Sequence, residues 1–223
     1  MSARLQEIIT FLENRFESQI RARHTLAAAD GAFAPFPESL DPVLAATLRD
    51  SGIARLYTHQ AEAFHTIGDR QDTVLVSQTA SGKTLSFLLP ILNEYMHSPA
   101  PFGVMLLYPT KALSRDQEGT LGKLLKAATG SLKIGTFDGD TPREERRHIQ
   151  QSADFIITNP DMLHAGILPN HNRRWKDFLG RLRYIVVDEV HTYRGDFGSH
   201  VSNVIRRLLR VCNLHGSTPN FVC

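Results

Sequence analysis

The sequence predicts an α/β fold: a parallel sheet flanked by helices on both faces, with an N-terminal helical extension. Two observations lead to this fold class. Short apolar runs of the kind that form buried strands alternate with segments whose apolar residues recur at helical spacing. The 223 residues also suffice for one domain with a modest extension. Such alternation favours βαβ units on a parallel sheet, which binds ligands at the carboxyl ends of its strands.

The first part of the chain is expected to be helical. Apolar residues at helical spacing predict an amphipathic helix over about residues 3–22. Residues 27–41, which include two prolines and several small residues, indicate a connector. Residues 42–50 are predicted to form a second helix. We therefore assign residues 1–50 to a helical extension and residues 51–223 to the main domain.

The main domain is predicted to begin with a helix near residue 58 and then to alternate strands with helices. Strands are predicted over residues 72–78, 104–108, 133–137, 155–158, 184–187 and 220–223. Helices are predicted after residue 84, over residues 114–128 and 142–151, and around residues 201–209. The residues that follow the strands are therefore the first candidates for a ligand site.

A phosphate-binding loop is predicted at residues 77–84, which read Ser-Gln-Thr-Ala-Ser-Gly-Lys-Thr where a strand turns into a helix. Backbone N–H groups and the helix dipole favour a polyphosphate there. Lys83 would reach the terminal phosphates, and the Thr84 hydroxyl would ligate Mg²⁺. Ser77 replaces the first glycine of the pattern, and the alternative is a glycine-containing turn that opens an ordinary helix. The candidate phosphate-binding residues are Thr79, Ala80, Ser81, Gly82, Lys83 and Thr84.

A second motif follows about a hundred residues later, where the apolar run 184–187 ends in Asp188 and Glu189. Two carboxylates leaving a buried strand are costly unless something pairs them, and a bound metal would do so. Asp188 would hold Mg²⁺, and Glu189 would orient or deprotonate the attacking water. A solvated strand end is the alternative. Together with the loop at residues 77–84, the pair predicts a site that binds and hydrolyses ATP with Mg²⁺.

With Asp188-Glu189-Val190-His191 placed, the chain resembles the first motor domain of superfamily 2 DExH-box helicases. The segments 191–195 and 197–201 are similar to those of a narrower group, the MrfA-like helicases, which are bacterial DNA-repair enzymes with fungal and archaeal relatives. The likeness runs from about Leu56 to Cys223. It implies a RecA-like sheet, a P-loop and a catalytic set that comprises Lys83, Asp188, Glu189 and His191.

The resemblance also implies a site for the adenine base. Residues 56–61 resemble the family's Q motif, in which Gln60 would contact the adenine edge next to Tyr57. Many relatives stack an upstream aromatic residue on the base, and Phe33, Phe36 and Tyr57 are the candidates here. His191 would link hydrolysis to strand movement; the alternative is a surface or core histidine with no such role.

Nucleic-acid contacts are expected in three segments, 108–113, 138–141 and 158–162, that resemble strand-contacting motifs. Hydroxyls, backbone N–H groups and helix N-termini donate to phosphates. These residues would alternatively only cap helices. A cluster of arginines, Arg143, Arg146 and Arg147, would add a basic flank that Glu144 and Glu145 dilute. The candidate contacts are Pro109, Thr110, Lys111, Gly139, Thr141, Asn159 and Pro160.

Composition excludes several classes of protein. The hydrophobic content of 42% suits a globular core, but no apolar stretch approaches the ~18 residues needed to span a bilayer. The first residues lack the pattern of a signal peptide. Two cysteines are too few for a disulfide framework or a zinc site. A cytoplasmic protein is therefore expected, and the net charge of +2 says little about partners.

By resemblance we expect the motor lobe of an ATP-dependent DNA helicase that moves 3′ to 5′ on single-stranded or tailed DNA, in repair. The chain stops where relatives continue towards motif III and a second motor domain, so the isolated lobe is expected to hydrolyse ATP barely and unwind nothing. One alternative is a motor that acts on RNA or remodels protein–nucleic-acid complexes. Another is a nucleotide-gated nucleic-acid-binding module without turnover.

Overall fold

The structure is a computed structural model that describes residues 3–22, 24, 31–76, 82–109 and 132–223. The chain divides into two compact units, Met1–Ala32 and Phe33–Cys223. In the first unit, helix α1 (Ala3–Phe16) is followed by a 3₁₀ turn at Glu17–Gln19. The predicted helix is thus confirmed, but it ends about six residues earlier than the apolar spacing indicates.

The second predicted helix lies in the second compact unit. Helix α2 (Pro42–Asp50) has the predicted bounds, because the Asp41 side chain accepts a hydrogen bond from the Val43 N–H (2.7 Å) and Pro42 occupies the first helical position. However, Leu44 and Leu48 are fully buried in the core of the second unit. The second compact unit begins at Phe33 and includes α2, and the domain boundary after residue 50 stays a prediction.

Within the described ranges, the main sheet has five strands, and every neighbouring pair is parallel, as predicted. A small antiparallel pair, β1 (Phe33–Ala34) and β2 (Leu56–Tyr57), precedes it in the chain. The strands of the main sheet are β3 (Gly103–Leu107), β4 (Ile134–Thr136), β5 (Phe155–Thr158), β6 (Leu182–Val187) and β7 (Asn220–Val222), in the order β4-β5-β3-β6-β7.

Helices cover both faces of this sheet. The helices that follow α2 are α3 (Thr58–Gly68), α4 (Lys83–His97), α5 (Arg143–Ser152), α6 (Pro160–Met162), α7 (Lys176–Gly180) and α8 (Gly195–Leu214). Alternate residues of β3 enter different cores: Val104 and Leu106 pack with α2, α3 and α4, whereas Met105 and Leu107 pack with α5, α7 and α8. Both faces of this central strand are buried, and its sequence is therefore a continuous apolar run.

The predicted strand 72–78 is only partly confirmed. Thr73 forms an isolated parallel bridge to Val222, and the Leu75 N–H donates to the Cys223 carbonyl (2.7 Å), so the described part lies beside β7. The expectation of burial is wrong for Val74 and Val76, whose side chains are 69% and 91% exposed. Side chains alternate along a strand, so only the face of Leu75 packs on the core. The predicted helix 114–128 lies outside the described residues.

Candidate functional site

The described ends of the two predicted motifs, Lys83 and Asp188, lie at the carboxyl edge of the sheet. The Asp188 N–H donates to the Leu107 carbonyl (3.0 Å), which extends β6 by one residue alongside β3. Helix α4 begins at Lys83. The side chains of Lys83 and Asp188 line one narrow cleft, whose walls include Phe87 and Val187. A cation and a carboxylate far apart in sequence therefore face the same space.

Asp188 is a half-buried carboxylate whose ionisation is disfavoured. Burial raises the pKa of Asp188, and the nearby charge of Glu189 raises it further. A hydrogen bond from the Glu189 N–H to Asp188 Oδ1 (2.9 Å) and the charges of Lys83 and His191 act in the opposite direction. A bound cation would stabilise the ionised carboxylate, because the protein groups alone leave it destabilised.

No group of three or more His, Cys, Asp or Glu side chains suited to a metal ion occurs in the described ranges. Mg²⁺ keeps several waters and is bound through one or two carboxylates together with substrate phosphates. Thr84 and Asp188, which lie at the start of α4 and the end of β6, fit such a donor set.

Glu189 has a backbone conformation that is rare for a residue with a side chain. Its φ is +50° and its ψ is 41°, in the left-handed region. Its carbonyl accepts hydrogen bonds from the N–H and the hydroxyl of Thr192, both at 2.8 Å. Its Oε2 atom lies 3.1 Å from His191 Nδ1. Backbone strain of this kind persists where the surroundings hold it, often at functional sites.

Two tyrosine hydroxyls lie in the electrostatic field of Asp188. Burial raises the pKa of Tyr108 and of Tyr193, and the Asp188 charge raises both further. Each hydroxyl is buried without a hydrogen-bond partner among the described residues. Asp161 also raises the pKa of Tyr193. The proximity of Tyr108 to the charge of Asp188 was not predicted from the sequence.

A larger pocket of about 650 Å³ opens beside the start of α4. Gln60, which is 4% exposed, connects two of its walls. Its Oε1 accepts a hydrogen bond from the Tyr57 N–H (2.9 Å), and its Nε2 donates to the Gly82 carbonyl (3.1 Å). Leu85 and Leu88 add apolar surface. This volume is in the range of small-molecule sites, which typically hold about 300–1,000 Å³.

Aromatic rings form one wall of this pocket. Phe33 stacks on Tyr57 with ring centroids 4.8 Å apart, and Tyr57 stacks on His59 at 5.6 Å. Both Phe33 and Tyr57 line the pocket. Phe36, the third candidate, packs instead against the core, below the guanidinium of Arg49 at 5.1 Å.

Arg55 is a pocket residue that sequence reasoning missed. It lines the pocket, donates to the Phe33 carbonyl (3.0 Å) and holds its guanidinium 6.0 Å from the Phe33 ring. A basic residue two positions before Tyr57 was the available signal.

A family model described as "DEAD/DEAH box helicase" matches residues 57–220, well over half of the chain. The chain belongs to the DEAD/DEAH box helicase family. It is 44% identical over 200 residues to the "Uncharacterized ATP-dependent helicase YprA" of Bacillus subtilis (strain 168), covering 90% of this chain and 26% of that protein. It is 42% identical over 160 residues to the "ATP-dependent helicase HRQ1" of Saccharomyces cerevisiae (strain ATCC 204508 / S288c), covering 70% of this chain and 15% of that protein.

Solved structures agree with this assignment. The DUF1998 helicase MrfA, crystallised with DNA and AMPPNP, matches with a TM-score of 0.87 and 41% identity, covering 96% of this chain and 30% of that one. Mss116p bound to ssRNA and AMP-PNP matches at 17% identity with a TM-score of 0.69, covering 83% of this chain and 38% of that one, which supports the RecA-like fold alone. The chain thus spans less than a third of the helicases YprA, HRQ1 and MrfA.

In this helicase domain, the candidate strand-contacting residues near β5 lie at a helix start. Asn159 is 9% exposed, and its Oδ1 accepts a hydrogen bond from the Met162 N–H (2.8 Å), which caps α6. Pro160 occupies the first position of that helix and is buried, and Pro109 is half-buried. The predicted contacts Thr110 and Lys111, and the loop residues Thr79, Ala80 and Ser81, lie outside the described residues.

The turn after β4 presents one exposed candidate. Gly139 is exposed, whereas Thr141 is 9% exposed. The Thr141 hydroxyl accepts from the Asp138 N–H (2.8 Å) and donates to the Thr136 carbonyl (2.9 Å). Thr141 therefore shapes the turn, whatever else it contacts.

The part of the helicase domain that the structure describes contains no helix long and apolar enough to cross a membrane.

Proposed function

We propose that this chain is the ATP-binding motor lobe of an ATP-dependent DNA helicase. The observation that carries the proposal is that Lys83 and Asp188 line one cleft at the carboxyl edge of the sheet. Catalysis of phosphoryl transfer depends on positioning and on charges placed around the phosphates. A lysine at a helix start facing a carboxylate at a strand end provides those charges.

Each catalytic candidate has a role that fits its position. Lys83 would contact the terminal phosphates, and Thr84 and Asp188 would hold Mg²⁺, which when bound neutralises phosphate charge. Glu189 would orient the attacking water and accept its proton. His191, 3.1 Å from Glu189, would hold that carboxylate and respond to its change of charge.

The pocket beside α4 is proposed as the site of the adenine base. The stacked rings of Phe33 and Tyr57 supply a face for the base, and Gln60 supplies an amide at the pocket's inner end. Gln60 is already bonded to Tyr57 and Gly82, so a base would use its remaining donor and acceptor capacity. The Gln60 side chain would then contact both the base and Gly82, which directly precedes Lys83.

The nucleic-acid partner and the second motor domain are proposed from the relatives. MrfA has been crystallised with DNA, and the chain covers only 30% of it. We therefore propose single-stranded or tailed DNA as the partner and a second motor domain in the same longer protein. Movement from 3′ to 5′, a role in DNA repair and a cytoplasmic location complete the proposal.

The test uses the longer protein that contains this chain. ATP hydrolysis is measured with and without single-stranded DNA for the wild type, Lys83→Ala and Glu189→Gln. Lys176→Ala, an exposed lysine on α7, serves as the control. We expect both site variants to lose turnover and the control to keep it. Wild-type turnover in either site variant would refute the assignment.

A motor that acts on RNA is the second candidate. The chain is 29% identical over 168 residues to the "Nucleolar RNA helicase 2-B" of Xenopus laevis, covering 72% of this chain and 20% of that protein. The same assay with RNA and DNA strands of one sequence separates the candidates. Stimulation by RNA alone would exclude the DNA helicase.

A further inference from the structure

Arg146, on the first turn of α5, is bonded to the turn that precedes its own helix. Its Nε donates to the Thr141 carbonyl (2.8 Å). One terminal nitrogen donates to the carbonyls of Asp138 (2.9 Å) and Gly139 (3.0 Å). The guanidinium also lies 5.6 Å from the ring centroid of Phe137. Among the described residues, the side chain of Arg146 therefore contacts three carbonyls of the turn 138–141 and one ring.

These bonds determine which backbone groups of the turn remain available to a ligand. Three carbonyl oxygens of residues 138–141 are held towards a positive charge. Asp138 Oδ1 accepts hydrogen bonds from the N–H groups of Asp140 (2.8 Å) and Thr141 (3.0 Å). No described residue accepts a hydrogen bond from the Gly139 N–H, and Gly139 is exposed. The Asp138 carboxylate thus occupies the N–H groups of Asp140 and Thr141, and the Gly139 N–H stays available to a phosphate oxygen.

We propose that Arg146 is a positioning residue for nucleic-acid binding: it holds the turn 138–141 so that Gly139 meets a strand phosphate, and it does not contact the phosphate itself. This inference rests on the proposed function. Arg146 then does not belong to the basic flank predicted from the sequence. Its role differs from that of Arg143 and Arg147, which are exposed on the same helix.

The choice of arginine follows from the geometry. A guanidinium is a planar fork of donors that bonds several carbonyls at once, whereas an ammonium is a point charge on a flexible stem. A phosphate contact made mainly by charge would tolerate lysine. A three-carbonyl clamp would not. Arg146→Lys therefore separates positioning from direct contact while it conserves the net charge.

Binding of a fluorescein-labelled single-stranded DNA oligonucleotide, measured by anisotropy at several salt concentrations, tests the inference in the longer protein. We expect Arg146→Lys and Arg146→Gln each to weaken binding about tenfold, the effect of losing hydrogen bonds made by a charged group. The slope of log affinity against log salt should stay unchanged, because no phosphate contact is lost. Loss of a direct contact would lower that slope by about one.

Arg147→Gln is the matched control from the exposed flank, and we expect it to weaken binding less than Arg146→Lys. Wild-type affinity of Arg146→Lys, or a slope lowered by about one in Arg146→Gln, would overturn the inference. Fluorescent ATP-analogue binding should be unchanged in both Arg146 variants, since their turn lies outside the nucleotide pocket.

A second pair of variants covers the case in which Arg146 variants fail to fold. Thr141→Val removes the hydroxyl that bonds Asp138 and Thr136, whereas Thr141→Ser keeps it. We expect weaker DNA binding at unchanged salt slope for valine and rescue by serine; equal affinities would overturn the inference. If the wild type neither binds nucleic acid nor shows nucleic-acid-stimulated ATP hydrolysis, the proposed function fails as well.

Discussion

His191 Nδ1 lies 3.1 Å from Glu189 Oε2, within one 3₁₀ turn that Val190 opens. The pair is formed although Glu189 must adopt a left-handed backbone. Such a conformation costs on the order of 1 kcal/mol for an ordinary residue. The turn therefore fixes the direction of the carboxylate through the backbone on one side and through an imidazole on the other.

Glu189→Gln tests whether this carboxylate acts on water. Glutamine has nearly the same shape but cannot accept the proton, so we expect turnover to fall by about 10²-fold or more. Binding of a fluorescent ATP analogue should be nearly unchanged, because the phosphate contacts are assigned to Lys83 and Thr84. Glu13→Gln, in α1, is the control and should behave as wild type. A parallel loss of binding and turnover would contradict the assignment.

His191→Ala tests the role of the imidazole. Without it, Glu189 keeps its backbone hydrogen bonds but loses its side-chain partner. We expect a smaller loss of turnover than in Glu189→Gln, and a lower ratio of strand displaced to ATP hydrolysed in the longer protein. An unwinding assay run beside a phosphate-release assay measures this ratio. An unchanged ratio would show that His191 has no part in coupling.

The local elements were predictable from the sequence where a few neighbouring residues decide them. Asp41 and Pro42 start α2, and the apolar run 155–158 becomes β5 with the predicted bounds. Lys83 and Asp188 were predicted from the two motifs to share one site, and they line one cleft. The bounds of α2 and β5 depend on capping and periodicity, which are local, whereas the shared cleft was predicted from the pairing of two motifs.

The remainder depends on contacts between distant segments. Val74 and Val76 have the composition of a buried strand, but their side chains are 69% and 91% exposed. The hydrogen bonds from Arg146 to backbone carbonyls cannot be predicted from a run of mixed acidic and basic residues. Phe33 reaches the pocket only because β1 pairs with β2, 22 or more residues later. Such placements follow from tertiary pairing that no local pattern encodes.

Phe33→Ala tests the aromatic wall of the proposed base pocket. Removing one member of a stacked pair costs about 0.5–1.5 kcal/mol beyond the buried area, so we expect nucleotide affinity to fall by about threefold to tenfold. Phe33→Tyr keeps the ring and is the control. Comparing ATP with a base-free triphosphate by competition shows where the loss arises. An equal loss for both ligands would place Phe33 outside the base site.

Asp188→Asn should stabilise the protein while it removes hydrolysis. Burial raises the folded-state pKa of Asp188 above its unfolded value, so the folded state binds the proton more tightly. Its contribution to stability is therefore present below the unfolded pKa and is lost as pH rises through the folded pKa. At neutral pH, asparagine removes the free-energy cost of burying the ionised carboxylate.

Urea unfolding of the chain at acidic and neutral pH, without nucleotide, measures the effect. We expect the advantage of Asp188→Asn over the wild type to grow as pH rises. A gain on the order of 1 kcal/mol would raise Tm by about 2–4 °C. Asp177→Asn, an exposed aspartate on α7, is the control. A destabilised Asp188→Asn at neutral pH would show that the carboxylate is well paired in the folded state.

Gly82→Ala should disturb the proposed base pocket where Gln60 bonds Gly82. Gly82 has φ +75°, and an added Cβ would lie 2.6 Å from Gln60 Nε2. Gly216, at φ +87°, has open space at the same position and is the matched control, because it carries the conformational cost without the clash. We expect both alanine variants to lose about 1 kcal/mol of stability, but only Gly82→Ala to lose nucleotide affinity, since it displaces the Gln60 amide. Equal nucleotide affinity in the two variants would show that the contact between Gln60 and Gly82 does not shape the site.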